Sequence, residues 1–216
     1  MQSKGQVSGP SNFPAVPATD DEIREKYLER AIRELNNLTH VLQECDLCPR
    51  GSLMPVLGSG HPQADILLLK YAPSASEIEE GVAFYGRSGS ALMKSFKRLN
   101  IDPLAVYGTL CVKCPVVDTD EASDECIARV IEEIAIVQPR LIVVMGERAL
   151  LTLNELELPL SVELEPLPGG VQSMTPNIDA IFVPDIDESL DDQSLKQRFW
   201  HSFRSVGDWY ADLPPY

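Results

Sequence analysis

The sequence predicts an α/β fold of three layers, with helices on both faces of a central, mostly parallel, four-stranded sheet. Three observations carry that expectation. Four short apolar runs of buried-strand length recur, at Ala64–Leu69, Leu104–Val112, Arg140–Met145 and Ala180–Val183. Segments with helical spacing separate them, and strands alternating with helices imply parallel pairing under helical cover. Finally, 216 residues of which 44% are hydrophobic suit one domain with a substantial core.

Taken in order, residues 1–18 are rich in Ser, Gly and Pro and read as a disordered leader, so that the domain spans 19–216. Thr19, three residues before Glu22, has the pattern of a capping box opening a helix. Ile23, Tyr27, Leu28, Ala31, Ile32, Leu35, Leu38, Val41 and Leu42 then follow at helical spacing and predict one buried stripe running into Cys45. A Gly- and Pro-containing loop, Pro49 to Pro62, leads to the first strand, which Pro73 stops. Further helices are expected over Ser90–Leu99, over Ala122–Val137, through Ala149, Leu150 and Leu153, and over about Leu190–Trp209. Residues 157–178, with several Pro and Gly, form a looser stretch of unassigned role. In such a sheet ligands sit at the carboxyl ends of the strands, here the loops after Leu69, Val112, Met145 and Val183.

The formal charge of −15 argues against a surface wholly given to nucleic acid, because phosphate binding rests on Lys and Arg. The charge is uneven, however. Between residues 86 and 114, Arg87, Lys94, Lys97, Arg98 and Lys113 face only Asp102, so a basic face on an acidic body is open, beside ordinary solvated charges. No apolar run reaches the ~20 residues of a membrane span and the first residues lack an apolar signal core, so a soluble, cytoplasmic protein is expected.

All five cysteines fall in two places: Cys45 and Cys48, then Cys111, Cys114 and Cys126. Without a secretion signal, thiolate ligands or buried thiols are expected rather than a disulfide framework. The set Cys45, Cys48, Cys111 and Cys114 has zinc-like spacing, whereas Cys45, Cys48, Cys114 and Cys126 has the irregular spacing of iron-sulfur ligands. Spacing leaves both open, together with thiols that bind nothing.

The order of motifs resembles the iron-sulfur (family 4) branch of the uracil-DNA glycosylase superfamily, from Leu42 to about Trp200. That branch shows Cys-x-x-Cys, a strand ending in Gly-Glu-Ala-Pro-Gly, then Gly-Arg-Pro-Phe-Val-Gly-Arg-Ala-Gly, Thr-Asn-Val-Val-Lys-Cys, a later Cys, a strand ending in Leu-Gly, and His-Pro. The corresponding residues here are Cys45 and Cys48, Lys70 to Ser74, Gly81 to Gly89, Thr109 to Cys114, Cys126, Met145-Gly146, and Pro184-Asp185. The resemblance implies a 4Fe-4S cluster on Cys45, Cys48, Cys114 and Cys126, with zinc as the alternative, and DNA as partner through the Arg87 to Lys113 segment; a protein partner is the other option.

The departures fall at the chemistry. Tyr71 stands where the family has its acid, Cys111 where an Asn reads the uracil edge, and Asp185 in place of the His; Phe84 keeps the base-stacking position. Tyr71 and Asp185 are therefore the candidate catalytic residues, with Glu77 a further carboxylate nearby. Phe84, Cys111 and Arg87 are the candidate substrate contacts, Arg87 at a helix start that could hold a phosphate. Two functions follow from the resemblance: a divergent glycosylase that removes a damaged base, or a non-catalytic nucleic-acid- or protein-binding member. A zinc-stabilised domain of unrelated function is the third reading.

Overall fold

In the computed structural model, residues 19–214 are described; the expected leader 1–18 lies outside them. The first helix, α1 (Asp20–Glu44), starts as the sequence predicts: the Thr19 side chain accepts from the Glu22 N–H while Glu22 reaches back to the Thr19 N–H. Its buried face is narrower than expected. Ala31, Leu38 and Leu42 are buried, with Leu28 and Leu35 half-buried, a 3-4-3-4 seam, whereas Ile23, Tyr27, Ile32 and Val41 are exposed. The helix packs mainly along one neighbouring helix, and a single line of contact covers only a seam.

The sheet has six strands in the order β1-β3-β2-β4-β6-β5. Four are parallel, as predicted: β2 (Ile66–Lys70), β3 (Val106–Leu110), β4 (Leu141–Met145) and β6 (Ile178–Val183). Two antiparallel edge strands extend them, β1 (Ser59–Gly60) beside β3 and β5 (Val171–Thr175) beside β6. Neither announces itself, since β1 is two residues long and β5 is half exposed. Every residue of β2, β3 and β4 is buried, which is why these runs are continuously apolar rather than alternating.

Two helical layers complete the fold. On one face lie α1, α4 (Asp124–Val137) and α5 (Glu147–Glu155), packed on Leu67, Leu69, Ile142 and Val144. On the other lie α3 (Arg87–Leu99), α6 (Ile186–Asp191) and α7 (Gln193–Ala211), packed on Ile66, Leu68, Leu141 and Val143. The last helical region, predicted as one helix, is two, because Asp192 is extended and caps α7 by accepting from the Leu195 N–H. A short α2 (Ala75–Glu80) follows β2. From β2 the chain moves outward to β3 through α3, and from β3 it returns across β2 to β4 through α4 on the opposite face. The direction of winding thus changes between β2 and β4, where a crevice opens at their carboxyl ends.

Candidate functional site at the strand ends

The crevice holds a buried charged group that composition alone hides. Lys70, the last residue of β2, is 1% exposed and its ammonium donates to Glu77, 2.6 Å away and fully buried, and to Asp187 on α6, whose side chain is 35% exposed. Glu77 is saturated: Oε2 also accepts from the Ser74 N–H and hydroxyl, at 2.6 and 2.8 Å, and Oε1 from the Phe84 N–H at 2.5 Å. A buried ion pair needs such supporting hydrogen bonds to offset its desolvation. The Lys70 ammonium also lies 5.6 Å from the Phe84 ring centroid.

Phe84 itself is held in an unusual conformation, with φ of 59°. A non-glycine residue there is strained unless its surroundings fix it, and strain of this kind clusters at ligand sites. Here Glu77 grips its N–H, and two glycines make room: a Cβ on Gly89 would lie 1.8 Å from the Phe84 carbonyl, and one on Gly108 only 2.4 Å from its ring. The aromatic is thus a placed platform, half-buried, against β3.

The other candidate residues are distributed by strand parity. Successive side chains face opposite sides of a sheet. Ile66, Leu68 and Lys70 face the α3/α7 layer, as do Gly108 and Phe84. Leu67, Leu69 and Tyr71 face the α1/α4/α5 layer, together with Cys111. Tyr71 therefore packs on the opposite side of β2 from Lys70; Arg148 of α5 lies 4.0 Å over its ring and donates to its hydroxyl at 3.1 Å. Cys111 is enclosed in the core, and burial pushes its thiol up to about 12. Asp185 caps α6, accepting from the Asp187 and Glu188 N–H groups at 2.8 and 3.2 Å, and packs against Gly146, whose φ of 89° opens α5. Burial raises the Asp185 carboxyl above its ordinary value despite those donors. Arg87 opens α3 and pairs with Asp191 at 2.6 Å on an exposed surface.

Lys113 departs from the expectation of a basic DNA-facing segment. It is fully buried, salt-bridged to Glu133 at 2.8 Å and donating to the Leu110 carbonyl at 2.7 Å, so it cannot meet a phosphate. Glu133 takes further hydrogen bonds from Thr109 (2.7 Å) and Tyr107 (3.1 Å). Lys70 and Asp187 were the residues the sequence concealed; a lysine closing an apolar run was the only signal of the first.

Beyond the strand ends, Cys48, Cys114 and Cys126 gather with their sulfurs within 4.8 Å of one another, all buried. This group can hold a metal. The hydrogen bond with Cys114 pulls the Cys126 thiol down to about 5, and the N–H and charge of Lys113 act in the same direction. The Ser123 N–H donates to the Cys48 sulfur at 3.4 Å. The Cys45 sulfur falls outside the group of three; Cys45 is the C-cap of α1, three residues before Cys48, and Arg50 grips its carbonyl at 2.7 Å and that of Gln43 at 2.9 Å. Cys111 packs in a different core, away from the trio.

Comparison with known proteins agrees with this architecture. Two relatives are both named Type-4 uracil-DNA glycosylase. One, from Pyrobaculum aerophilum, is 31% identical over 121 residues, covering 52% of this chain and 61% of the relative. The other, from Sulfurisphaera tokodaii, is 30% identical over 125 residues, covering 53% and 57%. The chain thus spans about three-fifths of the length of the curated relatives it matches. Residues 57–200, from the loop before β1 to the middle of α7 and including the whole crevice, match the model of the uracil DNA glycosylase superfamily, and the chain belongs to that superfamily.

Proposed function

We propose that the protein is a divergent DNA N-glycosylase that hydrolyses the bond between a damaged base and its deoxyribose, with ordinary uracil a poor substrate. The observation that carries this reading is the Asp187 carboxylate, part-exposed at the crevice and fixed by the buried Lys70 ammonium. N-glycosidic hydrolysis needs an anion to steady the cationic sugar or orient water, and Asp187 is a carboxylate placed for that role where Tyr71 offers none. Lys70 is its positioning residue, and Asp185 holds its backbone N–H. Phe84 is the stacking platform for an extruded base. Tyr71, stacked under Arg148, forms the wall on the far side of β2. Burial removes Cys111 from reading a base edge, which is the argument against efficient uracil recognition.

The relatives' names support DNA as the substrate class. Cys48, Cys114 and Cys126, with Cys45 three residues before Cys48 as the fourth donor, fit the thiolate donors of a 4Fe-4S cluster. When bound, such a cluster would tie the end of α1 to the loop before α4 and serve structure. A second reading, a non-catalytic nucleic-acid binder, is favoured by the internal engagement of Tyr71, Cys111 and Asp185.

The test is incubation of the purified protein with single- and double-stranded oligonucleotides carrying uracil, hypoxanthine or xanthine, scoring abasic sites. Excision of a deaminated purine exceeding that of uracil, and reduced about 100-fold or more in Asp187→Asn, is expected. Efficient uracil cleavage by the wild type would overturn the proposal, and binding with no cleavage of any substrate would select the second reading.

A further inference from the structure

Helix α3 carries Arg87, Lys94, Lys97 and Arg98 and no acidic residue. A groove runs along each of its sides. One, of about 990 Å³, lies between α3 and the α6–α7 layer and is lined by Arg87, Lys94, Arg98 and Lys196 together with Trp200. The other, of about 1040 Å³, lies toward β3 and is lined by Lys94, Lys97, Phe84 and Met93. Among the described residues neither groove has a carboxylate in its lining, in a chain with 33 acidic residues, although Asp191 pairs with Arg87 at the rim of the first. Three other grooves contain acid: Glu34 and Asp65 in one, Asp179, Asp208 and Asp212 in another, Glu155 and Glu163 in a third.

The cations are also available. Lys94, Lys97 and Lys196 are exposed and form no ion pair among the described residues, and Arg98 covers the Trp200 ring at 5.1 Å. Tyr85, 48% exposed, lines both grooves and so marks the ridge between them. Each groove reaches the crevice, the first through Ile186 and Ser189 of α6 and the second through Phe84.

We infer that these grooves bind single-stranded DNA, its phosphates on Lys94, Arg98 and Lys196 and a base stacked on Tyr85, and lead the strand to the crevice. Cations interleaved with accessible aromatics suit a single strand, whose unstacked bases present their faces. The acidic remainder of the surface repels phosphate and confines the footprint to α3. The inference rests on the reading of DNA as the substrate class, but binding does not require excision.

The experiment measures binding of a fluorescent, undamaged thymidine oligonucleotide and of a duplex by anisotropy, from 50 to 200 mM salt. Lys94→Ala/Lys196→Ala is expected to weaken single-strand binding at least tenfold and to flatten the log–log salt slope by about 0.7 per cation removed. Tyr85→Ala is expected to weaken it at least about fivefold with the slope unchanged, the mark of lost stacking rather than lost charge. Lys26→Glu, an exposed change on α1, should leave binding at the wild-type value. Tighter binding of the duplex, absence of binding, or equal affinity of wild type and the double variant would overturn the inference. Excision with unaltered binding in that variant sinks the groove alone; single-strand binding through the groove with no excision of any base sinks the glycosylase reading alone.

Discussion

The Lys70 ammonium and the Glu77 carboxylate meet at 2.6 Å with essentially no solvent exposure on either side chain. Their pairing joins the end of β2 to α2, and through the remaining Glu77 oxygen it fixes the Phe84 backbone. Removing one partner leaves an uncompensated buried charge. Lys70→Met should therefore destabilise the protein by about 3–5 kcal/mol, read by urea unfolding. Adding Glu77→Gln to Lys70→Met should restore part of that loss, giving a coupling of at least about 1 kcal/mol between the two positions. Additive losses would show that the pair is not the interaction described.

Lys113 and Glu133 form the equivalent pair on the other side of the sheet. Lys113→Ala should lower stability by about 3–5 kcal/mol while leaving the salt slope of the proposed DNA binding unchanged, because this cation meets Glu133 and not a phosphate. A phosphate-contacting lysine would give the opposite result, a shallower slope in a protein of normal stability.

The cysteines divide into two kinds. Cys114→Ser and Cys126→Ser should each abolish bound iron and the broad absorbance near ~400 nm of thiolate-bound iron, with a large fall in melting temperature. Cys45→Ser should do the same through loss of the proposed fourth ligand. Cys111→Ala should keep both iron and colour, costing only the packing of one small side chain, about 1 kcal/mol. Zinc in place of iron on elemental analysis of the anaerobically purified protein would assign the site to zinc.

Alkaline pH should destabilise the protein. Burial holds the Cys111 thiol up to about 12, and burial beside Glu133 also raises Tyr107. Both groups are protonated in the folded state and lose protons more readily when unfolded. The thiol's contribution is fully present below about pH 8.5, its unfolded value, and is lost as pH rises toward 12, whereas that of Tyr107 starts to fall only above about pH 10. Denaturant titrations from pH 8 to 11 should show stability falling by up to about 1.4 kcal/mol per pH unit from the thiol alone, and Cys111→Ala should remove that component. In the native protein at pH 8, Cys111 should resist alkylation.

Much of the layer architecture was legible because three strands are buried along their whole length and a fourth, β6, along most of it, and such apolar runs leave little ambiguity. The capping box at Thr19 was equally plain. The edge strands were not, since two residues at β1 and a half-exposed β5 carry no period. For the site, motif order singled out Phe84, which lies beside the crevice, and four cysteines, of which three gather, but not the partners of Lys70 and Lys113. A lysine at the end of a strand reads as a surface cation until tertiary structure supplies a carboxylate, here from seven and from twenty positions further on. Parity was available in principle, because Tyr71 shares a face with Leu67 and Leu69. Which face borders Phe84 depends on where α3 packs, and that is not local information.

The saturated coordination of Glu77 also constrains the order in which these positions could have been acquired. A lysine arriving at position 70 without an acid at 77 would be an isolated buried cation, disfavoured at the first step. Glu77 without Lys70 keeps its Ser74 and Phe84 donors, which lessen but do not cancel the cost of a buried, unpaired carboxylate. The less costly path therefore runs acid first, lysine second. A present-day single substitution at position 70 meets the same barrier from the other side, so a variant with a different residue there is expected to carry a compensating change at 77 or 187.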